Sequence, residues 1–500
     1  MKTPIMLPLT LLFLTGMAVT SVGAQQTLDA TMIRDKIRGA WLGDLVGGTY
    51  GDHYEFNPKY KGRFVREDEV PPWLKSDGSL NYNINFDFGK DGDQIWMNLP
   101  FLQSLQKAGY NAGWDDFGAG LRDSTFSDAD LYSANLAARK SLRAGMKAPV
   151  TGFYTKTKGN SENQTWQMES NWTGLISPGQ PHHAIDLSWR AGHVALYGEA
   201  VNGGCAVGAM TATAFTAKNV REIVEAGREA VPPDSDYRRM VDDVIRWHDE
   251  DPKRTWEQTW QLVQNKWGMV QRLKPGDVMN INVKINGAYI FMSLLYGGGD
   301  FEKSIRLCLR GGQDGDCTTS NVGAILGAFY GWNKLEEKFK KGLDTRAVFL
   351  TTAVTFDGFV DLTYTMAREQ LLGTGGSIVT SGGVEQWIIP VSLPIVPPLR
   401  ERWPLDTEKK DPPSLEAEAG TPSGLTVKFK AKGGESAKNY QWYFGDLTHQ
   451  DGAEVEHTYL KPGNYEAIAY VNDAIGNTSY KVVKVTVKEV TVKDGESPRL

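Results

Sequence analysis

Two short stretches of the 500-residue chain place aspartates two positions apart: Asp91-Gly92-Asp93-Gln94 and Gly311-Gly312-Gln313-Asp314-Gly315-Asp316. Carboxylates at i and i+2 in an irregular loop can converge on one point, as successive oxygen ligands do around Mg2+ or Ca2+. Both loops open apolar helices, one running from Ile95 to Leu105 and the other from Ser320 to Ala328. Taken singly, each loop fits a helix start equally well, with an acid serving the free amides and the positive end of the dipole. Two such loops in one domain shift the balance toward a shared cation. Glu55, at the end of a Gly-rich segment, supplies a third acidic site.

The elements that would hold these acids are helical. From about Leu28 to Leu372 long segments alternate with Gly, Pro and Asp clusters, and strand-like alternation is scarce. Met240, Val241, Val244, Ile245 and Trp247 fall near one face at helical spacing, as do Trp256, Trp260 and Val263, which marks them as core. In the Ser320 helix, Gly and Ala recur four residues apart, a spacing that admits a neighbouring backbone at close range. Past Leu372 a Gly- and Pro-rich stretch, 373–413, reads as a linker or short extended appendage. From Ser414 to about residue 490 period-two strands take over, and a small β-sandwich is expected.

Bulk properties narrow the function classes. At this length two domains are expected, because single cores stop growing at roughly 250 to 300 residues. The 41% hydrophobic and 23% charged content is that of a folded soluble protein. A net charge of -6 lacks the basic footprint of a nucleic-acid binder. Met1-Lys2, the apolar stretch from Ile5 to Val19 and Val22-Gly23-Ala24 read as a signal peptide, residues 1–24, cleaved after Ala24. An exported chain is the expectation: periplasmic, extracellular or surface-associated. Cys205, Cys308 and Cys317 are odd in number and widely spaced, which indicates neither a disulfide framework nor a zinc cluster.

Residues 33 to 335 resemble the ADP-ribosylglycohydrolase family. The resemblance is carried by Ile37 to Asp44 with Glu55-Phe56, Asp93-Gln94, Ser177-Pro178-Gly179, Gly192-His193, Leu295 to Phe301 and Gly312 to Ala328, all in family order. It implies an all-α helical bundle with a metal centre, usually two Mg2+ ions, where the glycosidic bond of an ADP-ribose unit is hydrolysed. Carried over, Asp93, Asp314 and Asp316 are the metal ligands, with Mg2+ expected and Mn2+ or Ca2+ as alternatives. Glu55 falls where some members place a catalytic acid. Trp166 to Gly179 corresponds to the substrate-cleft loop, with Glu169 as a second carboxylate. Gln167, Asn171 and His193 could contact a sugar, although His193 alone reads better as a core histidine. The base role is open among Glu55, Asp93 and Glu169.

Two departures stand out: Gln94 replaces an Asp of the first motif, and Cys317 replaces the closing Thr of the last. Hard cations prefer carboxylate and hydroxyl oxygens, so one firmly held ion is expected rather than two, with Asp91 able to compensate. The C-terminal segment resembles the PKD domain, an immunoglobulin-like sandwich, through Trp442 to Asp446, His457-Thr458-Tyr459 and Pro462 to Tyr465. Such domains imply a spacer or a carbohydrate or protein contact. Two alternatives remain beside ADP-ribosyl hydrolysis: a glycoside hydrolase on an extracellular glycan, or an inactive exported ligand-binding protein, which Gln94 and Cys317 would suit.

Overall fold

The computed structural model describes residues 25–55, 64–79, 81, 92–152, 163–267, 281–350, 352–396, 413–444, 449–472 and 478–488. Residues 1–24, expected to be a signal peptide, and Phe56, Asp91 and the Gly445-Asp446 pair lie outside the described residues.

The first helix, Ala30–Asp52, carries glycine at positions 39, 43, 47 and 51, one per turn on a single face. Each costs about 1 kcal/mol of helix propensity relative to Ala. The stripe exists because another backbone lies against it. A Cβ on Gly43 would stand 2.0 Å from the Gly323 carbonyl oxygen, and one on Gly47 would stand 2.1 Å from that of Thr319. Gly39 meets Gly327 in the same way, and Gly51 meets Asp316. The second helix of this seam is Gly315–Tyr330, with Gly315, Thr319, Gly323 and Gly327 again four apart. The two helices run antiparallel in backbone contact. The seam ends where the Asp314 loop begins.

Two further helices, Glu199–Ala214 and Val283–Gly297, are buried on nearly all sides, as central helices of a bundle must be. The amphipathic helices expected around Met240 and Trp256 span Asp236–Asp249 and Trp256–Trp267, and their apolar stripes are buried. Cys205, Cys308 and Cys317 are all free and buried. Among the described residues no helix is long and apolar enough to cross a membrane.

The stretch expected as linker or extended appendage is partly folded. Strands β2 (Ser377–Ser381) and β3 (Val384–Pro390) form a hairpin, and β1 (Gln25–Asp29) pairs antiparallel with β3 in the order β1-β3-β2. Trp387 and Ile389 on β3 are fully buried in the core of the helical body, which gives the hairpin its anchor. Apolar side chains spaced two apart in 384–390 signal this strand, and the surrounding Gly and Pro mask it.

C-terminal strands β4 (Leu415–Ala419), β5 (Thr426–Gly433), β6 (Asn439–Tyr443), β7 (His449–Asp451), β8 (Glu454–Thr458), β9 (Gly463–Asn472) and β10 (Thr478–Val487) make two antiparallel sheets. Their orders are β10-β9-β6-β7 and β4-β5-β8. Val427, Phe429, Trp442, Phe444, Val455, Tyr459 and Ala469 form their own core. The Tyr459 hydroxyl donates to the Phe444 carbonyl at 3.1 Å.

Candidate metal centre

At the end of the glycine seam the first helix runs against the backbone of Asp316: a Cβ on Gly51 would lie 2.4 Å from the Asp316 Cα. Glu55 continues the period-four stripe by one more turn, its amide donating to the Gly51 carbonyl at 3.1 Å. The same spacing that brings the helices together therefore delivers Glu55 to the Asp314 loop.

That loop is a built conformation. Gly312 and Gln313 both take positive φ, 76° and 67°, and Gln313 is the one non-glycine residue among those described to do so. The Trp260 indole donates to the Gly311 carbonyl at 3.0 Å, and the Asp314 amide donates to the Asn286 side chain at 3.4 Å. Asp314 occupies the N-cap position of the Gly315–Tyr330 helix without a capping hydrogen bond from its side chain. The helix-start role that competed for this residue is thus not the one its carboxyl takes. Asp316 keeps one local bond, accepting from the Cys317 amide at 2.6 Å.

Four acids from three segments meet here. Burial raises the Glu55 carboxyl far above the usual carboxylate range, and the charges of Asp316, Asp314 and Asp93 with a hydrogen bond to Asp314 push it further. Asp316 is raised for the same reasons: burial first, then Asp314 and Asp93, with only the Cys317 amide opposing. Like charges this close cannot all ionise without a counter-charge, and Glu55 and Asp316 each share a hydrogen bond with Asp314, which needs a retained proton.

Glu169 forms the adjoining wall. It is 1% exposed, and burial, with the Asp93 charge adding to it, raises its carboxyl well above the usual range. One oxygen accepts from the Asn135 side chain, while Oε2 is buried without a hydrogen-bond partner. Asn135 was not singled out from the sequence; nothing in its surroundings, Ala134 and Leu136, marks it apart from position on a helical face.

The three proposed sugar contacts are placed elsewhere. Gln167 is fully buried and accepts from the Tyr237 hydroxyl at 2.8 Å. Asn171 is fully buried, donating to Asp44 Oδ2 at 2.9 Å and accepting from the Asn321 amide at 3.3 Å. His193 is fully buried, its Nδ1 donating to the Trp189 carbonyl at 2.6 Å with the Trp189 ring 4.5 Å away, and burial lowers its pKa to about 4. Each of the three polar side chains is enclosed in the core, Gln167 and Asn171 bonded to other elements and His193 to the preceding turn of its own helix.

Gln94 is 3% exposed and packs over the first helix, where a Cβ on Gly48 would stand 2.2 Å from its Nε2 and 3.1 Å from Ser320 Oγ. Its amide therefore faces the seam near Ser320. On the same side of the first helix lies a second polar cluster, Asp44 with Asn171, Ser320 and Asn321, which sequence reading passed over. The signal was available: Asp44 is the lone charge in the Gly- and Leu-rich run from Gly39 to Gly48.

The donor chemistry fits a divalent cation. Asp314, Asp316 and Cys317 offer one ligand atom each within 4.8 Å of one another, all buried, with Asp93 and Glu55 close enough to act on them. A bound cation would relieve the mutual repulsion of these carboxylates.

A family model described as ADP-ribosylglycohydrolase matches residues 29–368, and a PKD domain model matches residues 411–487. No curated protein matches the chain. Among solved structures, an ADP-ribosylglycohydrolase-related protein complex aligns at 16% identity over 68% of this chain and 99% of that one, with a TM-score of 0.43. The PKD1 domain of Vibrio anguillarum Epp aligns at 23% identity over 16% of this chain and 99% of its own, with a TM-score of 0.16. The PKD1 domain of the Vibrio cholerae metalloprotease PrtV aligns at 23% identity over the same 16% and 99%, with a TM-score of 0.15.

Proposed function

Because this chain belongs to the ADP-ribosylglycohydrolase family, we propose that it is an exported, cation-dependent hydrolase of an ADP-ribosyl or related ribosyl glycosidic bond. The observation that carries this reading is the convergence of Glu55, Asp93 and the buried Asp314 and Asp316, in which the charges of Asp314 and Asp93 raise the carboxyls of Glu55 and Asp316.

Asp93, Asp314 and Asp316 would hold the ion, one per chain, since Gln94 is turned toward Ser320. Judged from the carboxylates alone that ion is Mg2+, with Mn2+ and Ca2+ as alternatives. When bound, it supplies Lewis acidity toward substrate oxygens. Glu55, whose proton is held on by its surroundings, is placed to donate it to the leaving group. The neighbouring Asp93 carboxylate would stabilise positive charge developing at the anomeric carbon. Glu169 Oε2, buried and unpartnered, can accept a hydrogen bond from a ribose hydroxyl or from the attacking water.

Cleavage after Ala24 would leave β1 intact from Gln25, which suits an exported mature chain. The C-terminal domain would contact protein or carbohydrate. The test is mass-spectrometric detection of products from ADP-ribosylated and glycan substrates, with and without chelator. Chelator-sensitive release of ADP-ribose supports the reading. Release of sugar from glycans alone would move the substrate to that class, and no release with saturable binding would make the chain a binding protein.

A further inference from the structure

The donor set at the Asp314 loop is not all oxygen. Cys317 is 5% exposed, and its Sγ lies within 4.8 Å of a carboxylate oxygen of both Asp314 and Asp316. Its thiol donates to the Met168 Sδ at 3.0 Å, and Met168 is also 5% exposed. Two sulfurs therefore stand side by side against the acid cluster. The residue after Met168 is Glu169, whose Oε2 is buried without a hydrogen-bond partner and whose carboxyl feels the Asp93 charge.

Hydroxyl groups that could replace the thiol are committed elsewhere. Thr318 Oγ1 donates to the Asp314 and Gly315 carbonyls at 3.1 Å each, and Thr319 Oγ1 donates to the Gly47 and Gly315 carbonyls at 2.6 Å each. The side chain after Asp316 that remains beside the carboxylates is sulfur. Mg2+ demands a near-octahedral oxygen shell and dehydrates reluctantly, whereas thiolate and thioether donors favour Zn2+ and its neighbours in the transition series.

We propose that Cys317 is itself a ligand and that, with Met168 alongside, it makes this centre select a sulfur-tolerant divalent ion, Zn2+ or Co2+, over Mg2+. On binding, the Cys317 thiol passes its proton to solvent and the Sγ lone pair forms the bond to the ion, with no change of oxidation state. This rests on the reading of the carboxyl cluster as a cation centre.

The test titrates Co2+ into the cation-free full-length chain and records the absorption spectrum, then competes with Mg2+ and Zn2+. A thiolate-to-cobalt charge-transfer band in the near ultraviolet is expected, displaced by Zn2+ far more readily than by Mg2+. In Cys317→Thr the band should vanish while Co2+ still binds, and the preference for Co2+ over Mg2+ should fall by about 10- to 100-fold. Co2+ binding to the wild-type chain without that band, or an unchanged preference in Cys317→Thr, would overturn the proposal and leave the carboxylate centre standing. No Co2+ binding at all would overturn both. The wild-type band does not depend on any variant folding, and far-ultraviolet circular dichroism checks Cys317→Thr.

Discussion

Two buried polar clusters lie along the same pair of helices, and they are built on opposite terms. Around Asp44 the neighbours are neutral donors and acceptors: Asn171 donates to its carboxyl, Ser320 to its backbone carbonyl, and Asn321 extends the chain of bonds through Asn171. Around Glu55 the neighbours are Asp93, Asp314 and Asp316, and each of their charges makes the burial harder. A fold that only needed to fill space would build the first kind, because amides satisfy a buried acid at modest cost. In the second kind like charges add to the cost of burial, and only protons retained on several acids or a bound cation can relieve that repulsion. That difference separates a structural polar core from a site.

The largest expected effect breaks the comparison on activity. Asp316→Asn removes a ligand carboxylate and should lower kcat/KM on the cleaved substrate by about 1,000-fold. Asp44→Asn keeps the shape and the bond from Asn171 and should change kcat/KM by less than about tenfold. Equal losses in steady-state assays of the two variants would erase the distinction.

The next effect concerns the seam that carries both clusters. Gly43→Ala gains about 1 kcal/mol of helix propensity, yet its Cβ would meet the Gly323 carbonyl oxygen at 2.0 Å, and backbone cannot yield as a flexible side chain does. A net destabilisation of about 2 kcal/mol is expected in urea unfolding, with the helices forced apart. Unchanged or increased stability would show that the contact is looser than described.

The smallest effect separates the clusters by pH. Burial keeps the Asp44 proton on in the folded chain well above the usual carboxylate range, whereas the unfolded chain releases it at about pH 4. The folded state then holds more protons, so this group's contribution to stability is full below that pH and declines as pH rises. Asp44→Asn cannot ionise, and its advantage over wild type should grow by up to about 1.4 kcal/mol per pH unit. Parallel unfolding free energies at pH 5 and 7 would show that Asp44 is ionised and solvated in the folded chain.

The acids at the site were legible because chemistry announced them: Asp-x-Asp loops before apolar helices, and a Glu closing a glycine-rich segment. The helical body and the C-terminal sandwich were legible from periodicity, and both family models agree with them. What the sequence hid was direction. Gln167, Asn171 and His193 sit in a polar stretch, and composition cannot say whether an amide faces a cleft or a neighbouring helix. Tyr237 and Asp44, distant in sequence, decide that for the two amides, and Trp189, one turn back on the same helix, for His193. The glycine stripe at 39, 43, 47 and 51 was visible but became meaningful only opposite Gly315, Thr319, Gly323 and Gly327. Strands β2 and β3 were hidden by the Gly and Pro around them.

The most direct test of the cation centre is calorimetric titration of Mn2+ into the cation-free full-length chain near pH 7, repeated in buffers of different ionisation enthalpy. Saturable binding of one ion per chain, with protons released to the buffer and both signals lost in Asp316→Asn, is the predicted result. Absence of saturable binding, or binding that survives Asp316→Asn with no proton release, would contradict it.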